Sequence, residues 1–154
     1  MTTNKANFEI YLNTPGFPVQ CIADLIVVEE HGTPKKLGFR YRQDYLAHPG
    51  RFAIDPACFP LNIDANTFVV HRTLPGFLDD YLPDDWGRKV LAHLAFYRNK
   101  KKLNSNSVID TLAHLGLSRI GALRIVPRGE AAEYTQGAHL SLLESIEATA
   151  YSLD

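Results

Sequence analysis

Four aspartates fall between positions 79 and 85, namely Asp79, Asp80, Asp84 and Asp85, and they are the densest group of carboxylates in the chain. Carboxylates this close could hold Mg²⁺ or share acid–base work. They also suit the start of a helix, where acids accept free backbone N–H groups and meet the positive end of the helix dipole. The helix-start reading is the one adopted. The six histidines (31, 48, 71, 93, 114, 139) are spread along the chain with no two at ligand spacing on one helix, and they read as solvated or hydrogen-bonded side chains rather than zinc ligands. His93 and His114 both fall in amphipathic segments and could meet in space.

Other chemistries lack their sequence signatures. The ten glycines contain no G-x-G-x-x-G spacing, and none is followed by Lys and Ser or Thr, so a phosphate cradle is missing. His71-Arg72 continues with Thr73, which breaks the kinase H-R-D triplet. A G-x-S-x-G elbow is absent; Ser118 beside Arg119 is its nearest imitation and reads as a loop residue. Cys21 and Cys58 lie outside any C-x-x-C pattern and read as two reduced core thiols, with one bridge as the alternative. The expectation is a non-enzyme: no catalytic residue, no cofactor and no metal.

The elements that would position these residues change period midway. Phe8–Leu12, Val19–Val28 and Leu37–Tyr41 read as successive strands of an antiparallel meander, with Asn13–Gly16 and Glu29–Pro34 as turns. In the second strand Cys21, Ala23, Leu25 and Val27 share one face, while Ile22, Ile26 and Val28 make the other apolar too, which predicts cover on both sides. Asp44–His48 reads as one helical turn; Phe52–Ile54 and Phe68–Val70 are short strand candidates.

Asp84 or Asp85 can cap a helix to about Tyr97, with Trp86, Val90, Leu94 and Tyr97 on one stripe, and Asn99–Lys102 closing it with positive charge. Asn104 or Ser105 can start another, with Val108, Ile109, Leu112 and Leu115 inward and Gly116 as its C-terminal cap. Gly121–Val126 is a strand stopped by Pro127. Ser141–Glu144 has the form of a capping box, opening a helix with Leu142, Leu143, Ile146 and Ala150 on its apolar side. The expected fold is α+β, a small antiparallel sheet with two or three packed helices. Its parts are a domain over 1–127, a loop over 128–140 and an amphipathic helix over 141–154.

Bulk composition limits the partners. The chain has 154 residues, 45% hydrophobic and 21% charged, enough for one buried core. Only Met1–Lys5 and Arg128–Gly137 read as candidates for disorder. A net charge of −1 gives no electrostatic case for nucleic acid or an anionic membrane, so any DNA contact would run through a partner. No apolar run approaches the roughly 20 residues of a spanning helix. The polar start (Asn4, Lys5, Asn7, Glu9) does not read as a signal peptide, and the expected location is cytoplasmic.

One stretch resembles a known family. Phe77-Leu-Asp-Asp-Tyr-Leu-Pro-Asp-Asp-Trp-Gly-Arg88 is similar to the F-x-x-L-L-P-D-x-W-G-R phrase that precedes a helix in the N-terminal domain of HipA-type toxin kinases. Downstream, Leu115-Gly116, Gly121-Ala-Leu123 and Pro127 follow the family's helix end and G-A-L strand; upstream, Phe39-Arg-Tyr41 and Tyr45-Leu46 match in order. The resemblance covers roughly residues 8–127. It departs at Ala53–Leu61, where the family's S-L-S-L-P-L phrase keeps only Pro60-Leu61.

The resemblance implies a part in a bacterial toxin–antitoxin module. HipA proteins are serine/threonine kinases paired with a helix-turn-helix HipB-like antitoxin, and their catalytic residues lie in a C-terminal part. In tripartite HipBST-type modules a stand-alone HipS-like protein, equivalent to the N-terminal domain, binds and neutralises a shortened HipT kinase. Two readings are therefore open: a separate protein that binds and restrains a HipA/HipT-like kinase, or the N-terminal regulatory fragment of a full-length kinase. A generic protein-interaction domain is the reading outside the family.

The residues expected to carry partner binding are Asp84, Asp85, Trp86 and Arg88. Tryptophan and arginine dominate interface hot spots, at about 2 kcal/mol or more each. Trp86 is the sole tryptophan and sits at a helix start, where it either anchors a partner or seals the core. Gly87 costs roughly 1 kcal/mol inside a helix, which implies a close approach by the fold itself or by a partner. Arg88 could pair with Asp84 or Asp85, or reach a partner carboxylate.

Overall fold

A computed structural model describes residues 3–13, 19–100, 102–115 and 122–128, with the side chains of Asp85, Trp86, Arg98 and Asn99 outside that description. The expected 128–140 loop and 141–154 helix lie outside it almost entirely, as do Gly116, Ser118 and Gly121. The first half forms strands β1 (Thr3–Leu12), β2 (Gln20–Glu30) and β3 (Thr33–Tyr41), then the single turn α1 (Gln43–Leu46) and the short β4 (Asn66–Val69). Three helices follow, α2 (Gly76–Tyr81), α3 (Asp85–Asn99) and α4 (Val108–Leu115), before β5 (Leu123–Pro127). The five strands make one antiparallel sheet in the order β4-β3-β2-β1-β5. The α+β expectation holds.

Alternation builds the core face. Phe8 and Ile10 of β1 stand opposite Leu25 and Ala23 of β2, and Leu37, Phe39 and Tyr41 of β3 pair with Val27, Leu25 and Ala23. All of these are buried in one cluster. The start of β1 at Thr3 corrects the reading of Met1–Lys5 as disordered: Thr3, Asn4 and Lys5 pair with Glu30, Glu29 and Val28.

Two details depart from simple periodicity. A register shift between Ile10 and Tyr11 leaves Ile22 in the main core beside Ala23. Cys21, expected on the same face as Ala23, instead packs with Tyr11, Val126 and Val19 in a second small cluster on the opposite face. A bulge of this kind inverts which residues face inward, which period-two reading cannot anticipate. The strands also run further than expected, because His31 and Gly32 both take positive φ (52° and 74°) and close a two-residue hairpin turn. A Cβ on Gly32 would lie 2.1 Å from Asn104 Nδ2, so the Asn104 side chain, from the loop before α4, lies directly against this turn.

The segment over 52–59 is not the expected strand, and only an isolated bridge joins Asp55 to Phe59. Side chains pin it instead. Tyr41 donates to Phe59 O (2.9 Å) and accepts from Ile54 N (3.2 Å), and the Tyr45 hydroxyl is bonded to both O and N of Phe52. Phe59 stacks on Phe39 at 4.5 Å and meets Phe77 edge-on.

α2 and α4 receive acceptors from afar. α4 begins where Glu29, 1% exposed, accepts from Ser107 Oγ (2.5 Å), Val108 N (2.7 Å) and Ile109 N (3.3 Å). Ser107 supplies the local cap to Asp110 N (3.1 Å), so the helix starts later than the expected Asn104 or Ser105. Its Val108 and Leu112 are buried, with Ile109 and Leu115 against the same cluster, as the periodicity requires. α2 has Pro75 at its cap position with no side chain of its own to use, and the buried Asp55 accepts from Phe77 N (3.3 Å).

A buried carboxylate holding several orphan N–H groups is costly to lose, because the donors stay buried. Glu29→Ala is expected to destabilise the domain by roughly 2–4 kcal/mol, with Glu29→Gln losing less, as read by urea denaturation. An alanine variant within 0.5 kcal/mol of the parent would show the cap to be dispensable.

Candidate partner-binding corner

The phrase Phe77–Arg88 folds as a helix–turn–helix corner between α2 and α3. Phe77, Leu78, Tyr81 and Leu82 are buried and anchor α2 to the sheet. The Tyr81 hydroxyl accepts from Ile125 N (3.2 Å), satisfying a donor of edge strand β5. Leu82 takes an extended conformation ahead of Pro83, which ends α2, since a residue before proline is driven out of the helical region.

Asp84 then caps α3, its Oδ1 accepting from Gly87 N at 2.7 Å. Arg88 turns back, donating from Nε to Pro83 O (3.3 Å). Asp79, Leu82, Pro83, Asp84 and Arg88 line an open groove of about 300 Å³ here. Asp85 and Trp86 are the first two residues of α3, and their side chains lie outside the described ones.

The structure thus places Asp84 and Arg88 together at one corner but in internal roles, cap and brace. Gly87 is explained by the fold itself: a Cβ there would lie 2.9 Å from Pro83 Cβ and 3.1 Å from Asp84 Oδ1. Asp79 and Asp80 sit exposed on α2.

The described members of the expected stripe on α3, all but Trp86, face outward. Val90, Leu94 and Tyr97 are exposed, together with Phe96, while Leu91 and Ala92 are half-buried and Ala95 is buried. Sequence periodicity found the stripe; it could not tell that Val90, Leu94 and Tyr97 face solvent while Ala95 is buried. His93 contacts Tyr97 ring to ring at 4.9 Å, and the His114 ring meets Asp110 O at 3.2 Å. Lys100, in the left-handed conformation (φ 57°), closes the helix as the basic run predicted.

A second polar group lies on the outer face of the sheet. Arg42 Nη2 contacts Asp24 Oδ1 at 2.7 Å and Glu9 Oε2 at 3.5 Å, and Tyr11 donates to Glu9 (3.1 Å). Arg42, Arg40, Asp24 and Asp44 line an open cleft of about 340 Å³ with balanced charge. Neither this cluster nor Glu29 nor Asp55 was singled out by sequence, because their partners are far away along the chain.

The perturbed groups all move away from neutral pH. Burial pushes the Cys21 thiol and the Tyr41 phenol each up to about 12, and it also raises Tyr11, where Glu9 adds to the effect, and Tyr45. A nucleophile or general base needs the opposite tuning. Among the described residues no three His, Cys, Asp or Glu side chains are grouped to hold a metal ion, and both cysteines are free thiols. The corner itself presents an open groove lined by Asp79, Leu82, Pro83, Asp84 and Arg88, beside the exposed apolar residues of α3.

Two measurements check this account. Gly87→Ala should destabilise by about 1–3 kcal/mol through overpacking on Pro83, despite a helix-propensity gain of about 1 kcal/mol. Asp84→Ala should cost about 1 kcal/mol. A more stable Gly87→Ala variant would remove the steric explanation. In alkaline titration, Tyr41 is held neutral by the fold, so its contribution is complete below the ordinary phenol value of 10 and fades as pH rises toward about 12. Stability should fall across that window, and Tyr41→Phe should flatten the fall.

Comparison with known proteins places this geometry. No curated protein and no solved structure matches the chain. Among the described residues no helix is long and apolar enough to cross a membrane. The family model of the HipA N-terminal domain matches residues 26–126, from within β2 to within β5, a span that contains the whole α2–α3 corner. This chain belongs to the HipA N-terminal domain family.

Proposed function

We propose that this protein is a non-catalytic component of a bacterial type II toxin–antitoxin module, which binds and restrains a HipA/HipT-like serine/threonine kinase. The observation that carries the reading is the α2–α3 corner: its backbone is fixed by Asp84, Pro83 and Arg88, while position 86 is held at the first turn of a helix with an uncovered apolar face. A rigid corner lowers the ordering cost of binding, and an aromatic anchor on it can contribute much of the affinity. Asp84, Asp85, Trp86 and Arg88 are the partner-binding residues in this proposal. A helix-turn-helix HipB-like protein would join the same complex, with DNA reached only through it.

The second reading, a regulatory N-terminal part of a full-length HipA-type kinase, is favoured by the family itself, which is an N-terminal domain. The same corner would then serve an intramolecular contact. Either way the kinase chemistry belongs to another polypeptide region, and this domain is cytoplasmic with its partner.

Co-expression with the product of the adjacent downstream reading frame, followed by affinity purification and a growth assay, separates the readings. A stable complex that relieves kinase toxicity is expected. Trp86→Ala should keep the melting temperature of the isolated domain and weaken the complex at least about 30-fold, equivalent to roughly 2 kcal/mol. A collapse in melting temperature would make Trp86 a core residue. Binding of ATP by this chain, or incorporation of labelled phosphate, would overturn the non-catalytic assignment.

A further inference from the structure

The sheet is closed off from solvent on the side away from its helices as well. Ile10 and Ile125 join the main cluster with side chains of α2 and α4, so Tyr11, Arg124 and Val126 point to the opposite, outer face. Yet Tyr11 is 3%, Arg124 1% and Val126 0% exposed. Among the described residues the outer cluster adds only Val19 and Cys21 to Tyr11 and Val126, and those two are themselves partly buried. Arg124 donates from Nη1 to Leu123 O (3.4 Å), but a guanidinium carries five donors. Shutting that charge away from water is costly unless acceptors, best of all a carboxylate, meet the others. The cover over this end of the sheet must therefore be both apolar and acidic.

Topology narrows the choice of cover. Stretches 14–18 and 116–121 join the sheet at one end, where Asn13 N donates to Ala122 O (2.8 Å). Val126 stands opposite Glu9, four residues or about 14 Å along β1 from Asn13. Five residues anchored at Asn13 and Val19 carry their backbone out only about 10 Å before it must return. The chain after Arg128 leaves β5 at the other end, past Pro127 beside Phe8, and is long enough to come back along it.

Charge and pattern select the same segment. Residues 129–154 contain Glu130, Glu133, Glu144, Glu147 and Asp154 and no lysine or arginine, whereas residues 1–128 hold all 16 basic residues against 12 acids. On a helix opened by the Ser141–Glu144 capping box, Leu143, Ile146, Glu147 and Ala150 share one face, since residues three and four apart are neighbours. That face is apolar with one carboxylate in it, which is what Val126, Tyr11 and Arg124 require.

We propose that residues 141–154 of this chain dock on the outer face of β1 and β5, with Leu143 and Ile146 over Tyr11 and Val126 and Glu147 paired with Arg124. The proposal does not rest on the kinase reading, and it leaves the α2–α3 corner, on the other side of the sheet, uncovered.

The test uses the two native thiols of the full chain. Cys21 lies in the outer cluster, whereas Cys58 packs against the main core, so Cys58 reports on the fold and Cys21 on the cover. Leu143→Asp combined with Ile146→Asp should raise the rate of Cys21 modification by N-ethylmaleimide at least about tenfold, with Cys58 unchanged, as read by peptide mass. In a second chain carrying Cys58→Ser and Ile146→Cys, a short bismaleimide should link 21 to 146 within one molecule. A chain with Cys58→Ser and Asp79→Cys, whose new thiol sits on exposed α2, should give no such link to 21. Unchanged Cys21 labelling would overturn the proposal and give the cover to 14–18 or 116–121. Absence of the 21–146 link would overturn it as well, and that link alone decides if both thiols become reactive together.

Discussion

The carboxylate of Glu29 is the interaction on which the arrangement of helix on sheet depends. It sits where β2 ends, is closed off from solvent, and receives two backbone N–H groups and a hydroxyl from the start of α4. A buried carboxylate without partners would cost several kcal/mol, and a helix start without acceptors would leave orphan donors in the core. Each problem solves the other. Because the two partners are nearly eighty residues apart, this one contact sets where α4 meets the sheet and orients Val108 and Leu112 into the cluster built by β1, β2 and β3. Asp55 repeats the device for α2, whose proline cap has no side-chain acceptor.

α3 is built differently. Its cap is local, Asp84 on Gly87, and its inward side carries small residues, Gly87, Ala92 and Ala95, with Leu91. Small residues allow close approach but bury little apolar area, so Ala92 and Ala95 each contribute less hydrophobic free energy than the larger buried side chains of α2 and α4. Val90, Leu94, Phe96 and Tyr97, among its described large residues, are exposed instead. A helix that turns its bulky face to solvent gives up that burial, and such a sacrifice makes physical sense where another surface covers the face. The same inversion explains why Gly87 tolerates no side chain: the close approach it permits is to Pro83 of its own corner.

Much of this was legible in the sequence. Alternation at Phe8 to Leu12, Leu25, Val27, Leu37, Phe39 and Tyr41 gave the strands and their inner face, and the 3.6-residue period gave α4 with its inward residues. The family phrase at Phe77–Arg88 located the corner. What escaped has a physical cause in each case. The Ile10–Tyr11 bulge exchanged Cys21 for Ile22 on the core face, and a bulge leaves no mark on hydrophobic periodicity. α2 is a helical segment of six residues, too short to show a period. Glu29 read as a turn residue because its acceptor role is defined by residues it meets only after folding. The outward stripe of α3 was found but not its direction, since a moment gives an axis of asymmetry and not the side on which the domain lies.

The boundaries of the family match carry one more consequence. Residues 26–126 begin inside β2 and leave β1 out, yet β1 stands between β2 and β5 in the sheet. Phe8 and Ile10 belong to the buried cluster, and among the described residues β5 pairs with β1 alone. Without β1, Ile125 would keep its bond to Tyr81 but lose its ladder, and the edge that α2 covers would no longer be joined to β2. The cooperative unit is therefore larger than the matched span, reaching back at least to Thr3. The corner inside the matched span is held in place by a strand outside it, so the position of α2 and α3 depends on β1 as much as on the corner's own sequence.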